Sequence, residues 1–145
     1  MLDHAHAEVM SSTMAAHFSL TAQDHCLLVL PLFHVNAIMV SALASFRSGG
    51  QLSIVGSFSA SRFFDQIERL RPTYFSAVPT IYARLVATWQ AADPATQQGW
   101  SAGAAGLRLM VSGSAALPVS TLDEWRQLTG HTLLERYGMT EIGMG

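Results

Sequence analysis

Short apolar runs alternate with amphipathic helical patterns along most of the chain, and this alternation limits the fold more than any other feature. The apolar runs are "CLLVLPL", "QLSIVG", "TYFSAV", "LRLMVSG" and "HTLLERY", each with the length and composition of a buried strand. Helical patterns separate them. Strands and helices that alternate at this spacing predict a parallel sheet with helices on its faces. We therefore predict an α/β fold in which strands and helices alternate in a mainly parallel sheet.

Two helices are predicted in the first third of the chain. Asp3 can cap a helix that extends to about His17. A second helix begins near Asn36 and ends at "RSGG", where Gly49 or Gly50 can adopt the left-handed conformation that closes a helix. Further along, the small and polar segment "AADPATQQGWSAGAAG" is predicted to be a surface connection.

Three more helices carry apolar stripes at helical spacing. The residues that open them are Ser59 or Ser61, Pro79 and Pro118. Their stripes comprise Phe63, Phe64, Ile67 and Leu70, then Ile81, Tyr82, Leu85, Val86 and Trp89, then Leu122, Trp125 and Leu128. Pro72 ends the first of these helices and Gly130 the last. Asp65 and Arg69 are four residues apart on the outer face of the first, where an ion pair is expected.

The composition indicates a surface that more protein normally covers. Half of the 145 residues are hydrophobic and only 12% are charged, against roughly 25% in an average soluble domain. The net charge of −2 is spread along the chain without the basic stripe that phosphate backbones require. We therefore expect no nucleic-acid partner.

The longest apolar stretch, from Cys26 to Phe46, is similar in length to a membrane span. Pro31, His34 and Asn36 interrupt it, so a strand followed by a helix fits better and no transmembrane segment is predicted. Cys26, the one cysteine, is predicted to be a small core residue. The N-terminus lacks the pattern of a secretory signal, and we expect a cytoplasmic chain.

Three loops that follow predicted strands have unusual compositions. They are "PLFHVNA" after the first strand, "SGSAALP" after the fourth and "YGMTEIGMG" after the fifth. Ligands of open parallel sheets bind where the strands end, so these loops are candidates for a site. The small residues of "SGSAALP" would let backbone amides approach a flat or anionic group, although a tight strand-to-helix turn has the same composition.

The loop "YGMTE" contains the parts that a nucleotide and its metal need. Tyr137 offers an aromatic face, Gly138 lets the backbone turn, and Thr140 offers a hydroxyl. Glu141 offers the hard oxygen ligand that magnesium prefers. An ordinary capped loop is the alternative on the residues alone.

The two long motifs "LRLMVSGSAALP" and "TGHTLLERYGMTEIGM", in this order, resemble those of the adenylate-forming superfamily of acyl-CoA synthetases. Their residues are similar to those of malonyl-CoA synthetases in particular. The resemblance spans nearly the whole chain. It implies part of the large N-terminal domain of such an enzyme over residues 1–145. It also implies a two-step reaction in which a carboxylate attacks the α-phosphate of ATP, and the thiol of coenzyme A then displaces AMP.

The resemblance also implies roles for individual residues. The nucleotide-binding residues would be Gly113, Ser114, Ala115, Ala116, Tyr137, Gly138, Met139 and Thr140. The catalytic residues would be Thr140, Glu141 and His34, with Glu141 as the magnesium ligand. Substrate-binding residues would be His34, Asn36, Arg84 and Arg136. ATP, Mg²⁺ and coenzyme A are the implied cofactor and co-substrates, and a carboxylic acid is the implied substrate.

Two arginines bear on the substrate. In the malonate branch the arginine of "ERYG", here Arg136, would pair with the second carboxylate of the substrate, aided by Arg84. A fork-shaped guanidinium suits a carboxylate in a partly desolvated pocket. From the residues alone, Arg84 could equally be a solvated side chain beside its apolar stripe, and His34 a core histidine. The malonate pattern usually reads "HxHG", whereas this chain has "HVNA", as synthetases of ordinary fatty acids do.

Three functional readings therefore remain open. The first is a fragment of a malonate-activating acyl-CoA synthetase, the second a medium- or long-chain fatty acyl-CoA synthetase, and the third a non-catalytic nucleotide-binding module. The resemblance implies a phosphate loop ahead of Met1 and a lysine-bearing C-terminal domain after Gly145. We expect the remainder of such an enzyme to be the chain's partner, and the 145-residue chain alone to form no acyl-adenylate.

Overall fold

The computed structural model describes residues 3–141 and the backbone of residues 143–144. Five parallel strands form the sheet, in the order β2-β1-β3-β4-β5. Their bounds are β1 (His25–Leu28), β2 (Gln51–Ile54), β3 (Tyr74–Ala77), β4 (Leu109–Ser112) and β5 (Leu134–Glu135). The predicted α/β fold with a parallel sheet is confirmed, and four of the five strands lie within their apolar runs, while β1 begins one residue before its run.

The helices cover both faces of the sheet. They are α1 (His4–His17), α2 (Ala44–Arg47), α3 (Ala60–Leu70), α4 (Pro79–Gln90), α5 (Pro94–Ala104) and α6 (Val119–Thr129), and a π-helix (Asn36–Leu43) leads directly into α2. The π-helix and α2 pack with α1, whereas α3 to α6 pack with one another. Residues of β3 alternate between two cores: Tyr74 joins the core under α1, and Phe75 joins the core under α4. Period-two alternation of this kind is what a sheet covered on both faces requires.

The helix predicted to begin near Asn36 exists, but its first eight residues are π-helical rather than α-helical. Short π-helical turns are rare and often occur at functional sites. Gly49, with φ of 73°, closes the helical segment as predicted, since its backbone lies in the left-handed region.

The prediction of a surface connection at 91–106 is wrong, because α5 occupies most of it. Asp93 caps this helix by accepting hydrogen bonds from the amides of Ala95 and Thr96, and Pro94 opens it. Trp100 stacks on Phe64 of α3 with ring centroids 4.4 Å apart. Gly103 faces Ile67, but a Cβ atom there would lie 3.7 Å from Cγ2 of Ile67, an ordinary van der Waals distance, so packing does not require the glycine.

Three smaller predictions are also corrected. Ser59 stands at the start of α3, but its hydroxyl bonds to that of Ser61 at 3.0 Å rather than to the backbone of the helix. Within residues 3–141, Asp65 and Arg69 do not form the expected ion pair. The segment after β5 was predicted as a loop, and it contains a short antiparallel pair, β6 (Gly138–Met139) and β7 (Gly143–Met144).

In the part of the chain that the structure describes, no helix is both long enough and apolar enough to cross a membrane.

An ion pair between a buried carboxylate and a partly exposed guanidinium joins the amino-terminal ends of three strands. Asp24, just before β1, accepts hydrogen bonds from Nε and Nη2 of Arg108, just before β4, both at 2.7 Å. It also accepts from the hydroxyl of Thr73, just before β3, at 2.7 Å. The paired guanidinium and these hydrogen bonds hold the pKa of Asp24 well below its usual range. The cluster therefore holds the amino-terminal ends of β1, β3 and β4 together, on the side of the sheet opposite the carboxyl ends of the strands.

Replacing Asp24 with asparagine should lower the free energy of unfolding at pH 7 by about 2 kcal/mol, because Arg108 loses its charge partner and remains only partly solvated. A lowered folded-state pKa contributes stability above the unfolded value of about 3.9, and this contribution is lost as the pH falls below it. The difference between wild type and Asp24→Asn in urea denaturation should thus shrink from pH 7 to pH 3. Asp93→Asn, which keeps a helix cap, is the control and should change little. An undiminished difference at pH 3 would contradict the assignment.

Candidate active site

Two adjoining hollows lie where the strands end. The first, about 520 Å³, is lined by Ser114, Ala115, Ala116, Glu135, Arg136, Tyr137 and Gly138. The second, about 310 Å³, is lined by His34, Val35, Asn36, Ser114, Gly138, Met139, Thr140 and Glu141. Both volumes are in the usual range for small-molecule sites. The loops after β1, β4 and β5 therefore meet at one edge of the sheet, as the sequence predicts, and Ser114 and Gly138 border both hollows.

The loop after β4 is held at both ends. The amide of Arg136 donates to the carbonyl of Ser112 at 2.8 Å, and the amide of Leu117 donates to Oε1 of Glu135 at 2.9 Å. Ser114 adopts a φ of 70°, which is uncommon for a residue other than glycine. Ser114, Ala115 and Ala116 are exposed, whereas Gly113 is buried. Their small side chains leave the backbone of the loop open to a ligand.

The residues of "YGMTE" are presented to solvent at the same edge. The side chain of Tyr137 is 75% exposed, so its ring is free to stack on a flat ligand. Thr140 and Glu141 are exposed as well and border the second hollow. Among the described residues no cluster of three or more histidine, cysteine or carboxylate side chains is arranged to hold a metal. Glu141 is thus a single carboxylate, which suits a magnesium ion that takes its other ligands from phosphates and water.

Arg136 is the most unusual group in the site. Its side chain is buried with 9% exposure, and its Nε and Nη1 atoms have no hydrogen-bond partner within the described part of the chain. Burial lowers the pKa of Arg136, because a charged group loses hydration in the interior. A buried cation without partners is costly. The arrangement is therefore suited to an anionic ligand that supplies the missing acceptors.

Gly113 makes room for this guanidinium. A Cβ atom at Gly113 would lie 3.2 Å from Nη2 of Arg136 and 3.6 Å from Nδ2 of Asn36. Asn36 is buried, and within residues 3–141 its Nδ2 has no acceptor. The amide nitrogen and the guanidinium thus approach the same small space.

His34 and Arg84 are placed differently. His34 is exposed at the mouth of the second hollow, with its ring centroid 4.5 Å from that of Phe33. The guanidinium of Arg84 lies over the ring of Phe58, 5.3 Å from its centroid. Arg84 is not among the described residues that line the two hollows. The structure therefore brings every predicted site residue to this edge except Arg84.

Two residues that the sequence analysis did not single out contact the site residues. Glu135 anchors the loop after β4 through Leu117, and Ser76 of β3 donates a hydrogen bond to Oδ1 of Asn36 at 2.9 Å. Strand alternation could have indicated that Ser76 shares a sheet face with Tyr74. Its contact with Asn36 depends on how the π-helix lies over the sheet, which no local pattern reveals.

Comparison with known proteins agrees with this fold and site. The family described as AMP-binding enzyme matches residues 1–145, and the chain belongs to that family. It is similar to mitochondrial malonate–CoA ligase of Mus musculus, with 40% identity over 147 residues. That alignment covers 97% of this chain and 25% of the mouse protein, so the chain spans about a quarter of its relative's length.

Two solved structures have the same fold as this chain. MatB from Rhodopseudomonas palustris, solved with ATP bound, has a TM-score of 0.84 and 31% identity, covering 99% of this chain and 27% of that one. A malonyl-CoA ligase solved as a ternary product complex with methylmalonyl-CoA and AMP has a TM-score of 0.84 and 36% identity, covering 95% of this chain and 29% of that one. The fold is therefore that of adenylate-forming enzymes.

Replacing Arg136 with methionine should stabilise the ligand-free chain by about 1 to 3 kcal/mol, because it removes buried donors without acceptors and keeps a similar volume. Urea denaturation with and without the substitution measures the change. Arg47→Met is the control, since Arg47 forms an exposed ion pair with Glu8 and should contribute little. Destabilisation by Arg136→Met would mean that this arginine holds the fold together.

Proposed function

We propose that a full-length protein carrying this chain is an ATP-dependent acyl-CoA synthetase that activates malonate. The chain spans about a quarter of its relatives, so the activity is assigned to a protein of their length. In the proposed reaction a carboxylate of the substrate attacks the α-phosphate of ATP and pyrophosphate leaves. The thiol of coenzyme A then attacks the acyl carbon, and AMP leaves.

The buried guanidinium of Arg136 is the observation that carries the choice of malonate. Malonate presents one carboxylate for adenylation, while its second negative charge has to be neutralised in a partly desolvated site. Arg136 offers Nε and Nη1, neither of which has another partner within residues 3–141, so the charged guanidinium keeps donors available for the oxygens of an anionic ligand. The 36% identity to a malonyl-CoA ligase supports this assignment.

The first hollow is proposed to hold the nucleotide. Tyr137 would stack on adenine, and the backbone of Gly113, Ser114, Ala115 and Ala116 would lie against its edge. Gly138 borders both hollows, and Met139 lines the second. An adenine nucleotide is an anion with a flat base, which suits an exposed aromatic ring beside open backbone.

Thr140 and Glu141 are proposed to act on the phosphates. The hydroxyl of Thr140 would donate to a phosphate oxygen, and Glu141 would hold a magnesium ion, which supplies positive charge to the developing pyrophosphate. His34, at the mouth of the second hollow, would border the acyl group and the path of the incoming thiol. Arg84 as a substrate ligand stays a prediction, since its guanidinium lies over Phe58.

Two alternatives remain. A fatty acyl-CoA synthetase is favoured by the "HVNA" sequence and by the exposed side chains of Leu32 and Phe33 beside His34. A non-catalytic nucleotide-binding module would show no carboxylate-dependent exchange of pyrophosphate into ATP. The cytoplasmic location also stays a prediction, because the mouse relative is named as mitochondrial.

The Arg136→Met substitution in the full-length protein should separate malonate from fatty acids. Losing the partner of a buried carboxylate should lower kcat/KM for malonate by about 30-fold to several thousandfold, corresponding to about 2 to 5 kcal/mol. Butyrate should be affected much less, since its apolar end does not use a cation. Pyrophosphate release with both acids measures the ratio. An equal loss on the two acids would assign Arg136 to the nucleotide or to the fold.

Glu141→Gln tests the proposed magnesium ligand. The substitution keeps the shape of the side chain and removes its charge, so the rate of adenylation should fall by roughly a hundredfold or more. Raising the magnesium concentration should recover part of this loss, and the Glu135→Gln variant, which keeps an oxygen for the amide of Leu117, is the matched control. Near-normal activity of Glu141→Gln at ordinary magnesium would remove this residue from the site.

A further inference from the structure

A buried polar pair supports the site from inside the sheet. Ser76 lies in β3 with 0% exposure, and Asn36 is the first residue of the π-helix with 3% exposure. The hydroxyl of Ser76 donates to Oδ1 of Asn36 at 2.9 Å, across 40 residues of sequence. Buried hydrogen bonds of this kind between side chains define the orientation of both groups.

The hydrogen bond to Ser76 determines which way the Asn36 amide nitrogen points. With its oxygen engaged by Ser76, the amide of Asn36 turns its nitrogen toward Gly113, where a Cβ atom would lie 3.6 Å away. Nη2 of Arg136 lies 3.2 Å from the same point. Within residues 3–141, Nδ2 of Asn36 and Nε and Nη1 of Arg136 have no acceptors. Donors from two elements therefore lie on either side of Gly113, with Arg136 lining the first hollow and Asn36 the second.

The orientation of the amide matters for an anion. Rotated by half a turn, Asn36 would present its oxygen, which repels a carboxylate. In that arrangement Ser76 would accept from the amide, and its own hydroxyl proton would need another acceptor. Among the described residues, the Ser76 hydroxyl forms one hydrogen bond, in which it donates to Asn36. The Ser76 hydrogen bond therefore holds the orientation in which the amide nitrogen faces Arg136, and the acceptor that this nitrogen lacks among the described residues is left for an anionic ligand.

We propose that Ser76 is a positioning residue that aims the Asn36 amide at the substrate carboxylate bound by Arg136, so that the Ser76–Asn36 pair raises the selectivity for dicarboxylates. This inference rests on the proposed function. Ser76 itself does not touch the substrate. Asn36 supplies one N–H donor to the carboxylate, and Arg136 supplies the charge.

The test measures kcat/KM for malonate and for butyrate by pyrophosphate release in a full-length protein that carries this chain. Ser76→Ala should raise KM for malonate and lower the malonate-to-butyrate ratio by about 5- to 10-fold, the expected effect of losing one buried hydrogen bond. Ser76→Thr, which keeps the hydroxyl, should restore most of the ratio. The control is Ser41→Ala. Ser41 lies in the π-helix, its side chain is as fully buried as that of Ser76, and it does not bond to Asn36, so this substitution should leave the ratio unchanged.

A second variant keeps the test decisive if Ser76→Ala does not fold. Asn36→Asp retains an oxygen that accepts from Ser76 but replaces the amide nitrogen with a negatively charged oxygen. The malonate-to-butyrate ratio should then fall by about 100-fold, because like charges meet in a desolvated space. Thermal unfolding of each variant shows whether the fold is intact. An unchanged ratio in Asn36→Asp would overturn the proposal.

The outcomes separate this inference from the proposed function. If the unmodified protein shows no turnover that depends on malonate, both are overturned. If malonate is turned over and Ser76→Ala leaves the ratio unchanged, or lowers both substrates equally, Ser76 has a purely structural role and the inference alone is overturned. A selective loss for malonate with thermal stability preserved supports it.

Discussion

The parallel arrangement of the sheet is the constraint on which the rest of the structure depends. All five strands point the same way, so every loop that follows a strand reaches the same edge. Within the part of the chain that the structure describes, buried charged side chains have partners at one end of the strands and lack them at the other. At the amino-terminal edge, Asp24 and Arg108 satisfy each other with two hydrogen bonds of 2.7 Å. At the other edge, Arg136 is buried and, among the described residues, its Nε and Nη1 have no partner.

This contrast follows the usual division between stability and function. A buried carboxylate is stable only when its cation and its hydrogen-bond donors are present, and Asp24 has both from residues that precede two other strands. A buried cation that leaves donors for a ligand weakens the free protein and strengthens the complex, because the ligand brings the missing acceptors. Gly113 belongs to the same arrangement, since a side chain there would occupy the space beside the guanidinium. The loss of a Cβ atom is thus part of the site.

Local patterns predicted most of the fold, because apolar residues recur at helical spacing in most helices and form short continuous runs in the strands. The π-helical form of Asn36–Leu43 could not be predicted, since it depends on contacts with α1 and the sheet rather than on the residues' own preferences. The helix α5 was missed for a different reason. Its glycines are typical of loops, whereas the cap at Asp93 and the stacking of Trp100 on Phe64 of α3 stabilise the helix that contains them.

The sequence by itself determined the order of the five sheet strands and of the helices other than α5, the family and the loops that carry the site, because these follow from local periodicity and from motifs that are continuous in the chain. Tertiary structure alone decided that Arg136 is buried and that Ser76 reaches Asn36 across 40 residues. It also decided that Arg84 lies over Phe58, outside the described lining of the two hollows. The physical reason is that burial and hydrogen bonds between distant residues depend on strand register and on how helices lie over the sheet. Neither property is encoded in any short stretch of residues.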